Sequence, residues 1–187
     1  IDFEGTEIQF VFDERGAVTD ILPYTRNDAH MLIEECMISA NVEAAKFALQ
    51  HQVPAPFRNR EPPQEGKVES LEQFLRGLGS RKTWQARPEP RDFELIVQQI
   101  AGRDDHALIM AVLLRTQSLA TYQETNSGHF GLALEAYAHF TSPIRRYPDL
   151  LVHRAIHHVL QSRTAEGYAY SRADIAKLSE HSSHCSR

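Results

Sequence analysis

The chain has 187 residues, of which 42% are hydrophobic and 24% charged, with a net charge of −5 and an isoelectric point near 6.1. That length and apolar content suit one domain with a real core, or part of a larger domain. The acidic balance excludes a generally basic nucleic-acid binder, so a site for a polyanion has to be a local groove.

Two cysteines, Cys36 and Cys185, do not make a disulfide framework and form no CxxC, which fits a reducing cytoplasmic setting. No apolar run reaches the length of a membrane span, and IDFEGTEIQF is not a signal peptide. The chain opens without Met, and its first residues read as the middle of something longer. It closes at His184-Cys185-Ser186-Arg187 inside a helical pattern, with no C-cap signal.

Residues 7–12 alternate and predict a strand. Asp13-Glu14-Arg15-Gly16 is a turn, and Ala17 to Leu22 returns as a second strand, so a hairpin is expected first. From Asn27 the apolar period changes to three and four, through Ala29, Ile33, Cys36, Met37, Ala40, Ala44, Phe47 and Ala48. This predicts an amphipathic helix to about Gln50, capped by Asn27 or Asp28. Residues 52–69, with Pro54, Pro56, Pro62, Pro63 and Gly66, read as a surface connection. Further helices are predicted at 70–78, 91–100 and 104–120, with RKTWQARPEP as a loop between the first two. Residues 128–140 read equally as strand or helix. Helices follow from Pro148 to about Gln161 and from Ser171 onward. The expected class is α/β (α+β), predominantly helical, with a short N-terminal β-hairpin.

The chemistry concentrates in Thr141-Ser142-Pro143-Ile144-Arg145-Arg146-Tyr147-Pro148-Asp149. Proline fixes φ and lacks a donor, so this stretch reads as a rigid turn leading into a helix with Pro148 at its first position. Arg145, Arg146 and the neighbouring hydroxyls at a helix N-terminus are equipment for holding phosphate. The competing reading is a pair of surface arginines bridged to Asp149 or Glu135.

Glu34 and Glu35 separate by helical geometry. At about 100° per residue, Glu35 falls on the polar stripe with Ser39, Glu43, Lys46 and Gln50. Glu34 falls with His30 and Asn41 beside the apolar stripe. A half-buried carboxylate there needs a partner, either a structural Arg or His or a substrate hydroxyl.

Asp149, His153 and His157 recur at i, i+4 and i+8, which fits a divalent metal or a plain Asp–His pair. A small metallohydrolase is the reading the first of these supports. His181, His184 and Cys185 form a weaker cluster. Cys36, on the apolar stripe, reads as an inert core thiol. Trp84 reads as covering a local core or as a platform for a base.

Two blocks carry a family resemblance. One is Arg26-Asn27-Asp28-Ala29-His30 running into LIEECMISANVEAAKF, and the other is GHFGLALEAYAHFTSPIRRYPDLLVHRAI. With weaker agreement in PEPRDFELI and LLRTQSLATY, the chain resembles the RNB catalytic domain of the ribonuclease II / ribonuclease R family of exoribonucleases, on the bacterial ribonuclease R side of it. Thr116-Gln117 departs from the Ser-Met expected after Leu113-Leu114-Arg115.

The resemblance implies processive 3′–5′ hydrolysis of single-stranded RNA to 5′ mononucleotides, by two-metal catalysis with Mg2+. Arg145 matches the arginine that stabilises charge on the scissile phosphate. Glu34 matches the glutamate that holds the terminal ribose. Arg146, Tyr147, Thr141, Ser142 and His139 are the other RNA-binding residues implied. The family's aspartate metal ligands precede this chain, and Asp2, Asp13 and Asp20 do not reproduce them, so no metal ligand is assigned. The chain therefore reads as the C-terminal portion of an RNB domain over 1–187, truncated at both ends and inactive alone. A non-catalytic RNA-binding or scaffold member of the family is the alternative. No membrane association is implied and no obligate protein partner.

Overall fold

The structure, a computed structural model, describes residues 8–23, 27–80 and 84–186. Asp2, Arg26 and part of the expected loop around Trp84 lie outside these. Strands β1 (Ile8–Phe12) and β2 (Val18–Pro23) form the expected antiparallel hairpin. Its turn is held by the Asp13 carboxylate, which accepts the N–H groups of Arg15 and Ala17 at 2.8 Å each. Gly16 supplies the left-handed residue at φ +78°. Both faces of the hairpin are exposed, so its alternation buries neither.

Helix α1 (Asp28–Gln50) begins where its cap predicts. Asn27 Oδ1 accepts the His30 N–H at 3.1 Å, and His30 Nδ1 accepts the Asn27 N–H at 3.3 Å. The apolar stripe divides along its length. Ala44, Ala45 and Ala48 are buried against α5 (Tyr147–Ser162), whose Val152, Ala155 and Val159 face them. Met31, Leu32, Ile33 and Met37 are exposed. Cys36 is exposed too, which corrects its reading as a core thiol. Periodicity marks the side of a helix that is apolar, but burial needs a second element, and none of the described residues covers this half.

Residues 52–69 depart from the expected surface connection. Val53, Ala55 and Phe57 join the α1–α5 core, and Phe57–Asn59 is a strand, β3. Helix α2 (Glu65–Gly77) starts five residues earlier than predicted, directly after Pro62-Pro63 and Gln64, because prolines just outside a helix start remove no intrahelical bond. Helices α3 (Pro90–Ile100) and α4 (His106–Thr116) follow. Leu71, Leu75, Phe93, Ile96, Ile100, Ile109 and Leu113 pack with Trp84 into a second core.

Helix α4 ends four residues early because Thr121–Gln123 is needed as strand β4, which pairs antiparallel with β3. Helix α6 (Arg172–Cys185) packs on β4, where Ser183 Oγ accepts the Tyr122 N–H at 2.7 Å. Residues 128–140 are neither strand nor helix as a whole. A single 3₁₀ turn at Phe130–Leu132 is pinned by the Phe130 N–H to the Arg60 carbonyl at 2.9 Å. The remainder runs extended along β3, with the Arg58 N–H donating to the Tyr137 carbonyl at 2.8 Å. With six α-helices and two short two-stranded pairs, the described residues have the expected mostly helical α/β character. No helix among them is long and apolar enough to cross a membrane.

Candidate functional site

The turn before α5 is built around one carboxylate. Asp149 lies in the first turn of α5 with 0% exposure. Its Oδ1 accepts the Ser142 N–H at 2.8 Å and the Arg146 Nη2 at 2.8 Å, with Nε at 3.2 Å. Meanwhile the Ser142 carbonyl accepts the Arg145 and Arg146 N–H groups. A carboxylate in the first turn of a helix also meets the positive end of the helix dipole. Pro148 is the second residue of the helix rather than the first, still where no intrahelical bond needs its nitrogen.

The two arginines thus part company. Arg146 is bridged to Asp149, the contact the competing reading expected, with part of its side chain still accessible. Arg145 is exposed, and its guanidinium makes no hydrogen bond or ion pair among the described residues. It stands beside a fully exposed Ile144 and an exposed Tyr147, at 103% and 44%. Thr141, Ser142 and His139 are half-buried on the approach to the turn.

His139 Nδ1 is 2.7 Å from the Tyr122 hydroxyl, and its ring stands edge-on to Tyr122 and Tyr137. Burial, with Arg146 and Arg58 adding to it, pushes its pKa down to about 3. His139 therefore enters the site as a neutral imidazole. His129, also edge-on to Tyr137, is likewise pushed down to about 4, mainly by burial and then by Arg60 and Arg58.

Under these rings lies a basic layer that sequence reasoning missed. The period-two alternation of a strand sends Phe57 and Asn59 inward and Arg58 and Arg60 to the other face. The Arg58 guanidinium sits 4.5 Å above the centre of the Tyr122 ring. Arg60 runs past Gly131 so closely that a Cβ there would lie 2.7 Å from its Nη1. Burial lowers the pKa of both guanidinium groups. The available signal was the FRNR alternation, hidden among prolines that read as loop.

Glu34 and Glu35 lie as the helical-face argument predicts, half-buried and exposed respectively. Two turns further along the face of Glu34, the buried Asn41 ties α1 to the approach segment. Its Nδ2 donates to the Tyr137 hydroxyl at 2.9 Å, and its Oδ1 accepts the Phe140 N–H at 2.8 Å. The face of α1 that carries Glu34 is therefore the one fastened to residues 137–140, immediately before the arginine turn.

The other candidates disperse. His153 stacks on Phe140 at 4.0 Å, and its Nε2 is 2.8 Å from the Phe140 carbonyl. Asp149 is enclosed beneath the turn and His157 is exposed, so the three do not converge on a metal. Among the described residues no three metal-binding side chains come together, and these residues do not fit a divalent ion. Asp13 and Asp20 stay in the hairpin. His181 and Cys185 meet only at 3.6 Å. Trp84 is buried, donates to Glu72 at 2.9 Å and stacks on Phe93, so it serves the core and not a base.

Comparison with known proteins places this geometry in a family. The RNB domain model matches residues 1–162. Ribonuclease R of Escherichia coli is 43% identical over all of this chain and 24% of its own length. Among solved structures, Mycoplasma genitalium RNase R in complex with double-stranded RNA matches with a TM-score of 0.90 at 24% identity, over 100% of this chain and 34% of that one. Yeast Ssd1, a pseudonuclease, matches with a TM-score of 0.73 at 23% identity, over 86% of this chain and 20% of that one. The chain belongs to the RNB-domain family and spans about a quarter of the length of the curated relatives it matches.

Proposed function

We propose that this chain, as a member of the RNB family, is the RNA-holding portion of a 3′–5′ exoribonuclease catalytic domain acting on single-stranded RNA in the cytoplasm. The observation that carries this is the division of labour in the turn. Arg146 is locked onto buried Asp149, and this leaves Arg145 exposed on a rigid mount. A guanidinium so placed offers a preorganised fork to a phosphate, and its charge acts most strongly where negative charge develops.

In this reading Arg145 stabilises the scissile phosphate, and Glu34 accepts a hydrogen bond from the terminal ribose 2′-hydroxyl, the group that marks RNA. Arg146, Tyr147, Thr141, Ser142 and His139 line the path of the last nucleotides. Tyr147 offers an exposed ring for stacking. Magnesium-assisted hydrolysis belongs to the parent enzyme. In this reading the chain's own part is binding and charge stabilisation.

Binding of a fluorescent 3′-hydroxyl oligoadenylate tests the reading. The chain binds it, Arg145→Ala weakens binding, and Mg2+ produces no mononucleotide release. Unchanged affinity in Arg145→Ala overturns the phosphate role. Metal-dependent release of mononucleotides overturns the assignment of hydrolysis to residues beyond this chain.

A further inference from the structure

Arg58 and Arg60 pose a problem of charge. Both are half-buried, and burial opposes their protonated forms. No carboxylate among the described residues pairs with either one. Arg58 Nη1 and Arg60 Nε are sealed from solvent without a hydrogen-bond partner, although neither residue is fully buried. The buried Asp149 carboxylate gives its Oδ1 to Arg146 and the Ser142 N–H, and its Oδ2 makes no hydrogen bond to either strand arginine. A half-buried cation without a counter-charge destabilises the free protein. The fold nevertheless spends Gly131 on making room for one of them and a tyrosine ring on supporting the other.

The two arginines also have a spacing. At i and i+2, with Arg60 just past the end of β3, their Cα atoms lie about 6.8 Å apart for extended backbone, a separation suited to neighbouring groups of one extended polyanion. Arg58, Arg145 and Arg146 all act electrostatically on His139, so the strand and the turn share one region.

We infer that Arg58 and Arg60 form a second anion subsite, next to Arg145, that takes backbone phosphates of the same RNA strand. This rests on the RNA reading above, and the missing counter-charge is supplied by the ligand. The subsite trades stability of the free chain for affinity: removing Arg58 relieves an uncompensated charge and also removes a phosphate contact. A purely structural arginine behaves oppositely, because its loss lowers stability and leaves binding alone.

The test measures melting temperature, oligoadenylate affinity and the salt dependence of that affinity for the 187-residue chain, with inorganic tripolyphosphate as a second probe. Arg58→Met is expected to melt no lower than the wild type and to bind oligoadenylate about 10-fold more weakly. Its slope of log affinity against log salt should be shallower by about 0.7, the value for one phosphate contact on a single strand. Arg58→Lys should restore the slope and part of the affinity. Arg60→Met carries the same test should Arg58→Met fail to fold.

Unchanged affinity and slope in both methionine variants overturn the subsite, as does a lower melting temperature with unchanged binding. Wild-type binding of tripolyphosphate, lost in Arg58→Met, without any binding of oligoadenylate, overturns the RNA reading and leaves the subsite standing. Binding of neither probe overturns both.

Discussion

Asp149 and Arg146 form a pair in which the carboxylate is fully buried and the guanidinium, 2.8 Å away, closes over it. The Ser142 N–H meets the same oxygen, so one ion pair sets the shape of the whole turn. Truncating either partner leaves a charge or an N–H uncompensated. Asp149→Ala is expected to cost about 3–5 kcal/mol, the range for breaking a buried pair. Urea denaturation checks this, and a loss below about 1 kcal/mol places the pair with surface bridges instead.

Asn41 makes the second connection that holds the site. Its amide serves both the Tyr137 hydroxyl and the Phe140 N–H. Asn41→Ala orphans both groups at roughly 1–3 kcal/mol each, so a loss of about 3 kcal/mol is expected in the same assay. Oligoadenylate affinity should fall with it, because α1 and the arginine turn lose their common anchor. Asn41→Asp keeps the acceptor for Phe140 and should bind RNA better than Asn41→Ala.

The histidines set the pH response. His129 and His139 titrate near 4 and 3 in the fold, below the ordinary value of 6.5. Between those limits the unfolded chain binds more protons than the folded one, so stability rises with pH there. The contribution is complete above about pH 7 and is lost progressively as pH falls from 6.5 towards 3–4. A melting temperature that drops over this window in the wild type, and drops less in His129→Asn, is the expected result. The asparagine retains an acceptor for the Leu132 N–H that His129 Nδ1 now caps at 3.2 Å. Equal slopes in the two proteins contradict the assignment.

In the full-length parent, Arg145→Lys should lower kcat by roughly 10–100-fold with little change in KM. On the proposed phosphate role, a point charge replaces a planar fork facing the scissile phosphate. An effect confined to KM assigns Arg145 to ground-state binding alone.

Cys36 and Cys185 are both exposed. Reaction of the native chain with a thiol reagent should therefore count two accessible thiols. A count of one with Cys36 protected restores the core reading that its place on the apolar stripe suggests.

Local order was legible in the residues themselves. Asn27 and Ser171 announce their helices by capping, and the residue spacing separates Glu34 from Glu35 correctly. The family was legible in two contiguous blocks, because a rigid turn rich in Pro and Arg leaves a dense signature. These features depend on neighbours a few residues apart, which sequence lists in order.

The tertiary structure decided everything that depends on which element meets which. It chose Arg146 for the ion pair and left Arg145 free, though the two are adjacent in sequence and chemically identical. It drew His153 onto Phe140 and Asp149 under the turn, dissolving a metal-like spacing that helical geometry alone permits. It made a strand of Phe57–Asn59, which raised Arg58 and Arg60 beneath the site. A three-residue strand has almost no pattern of its own, since its hydrogen bonds are closed by β4 and by the segment at Gly128–Tyr137, more than sixty residues away. Periodicity shows which side of an element can be buried, whereas burial, charge pairing and ligand geometry arise only when distant segments are brought together.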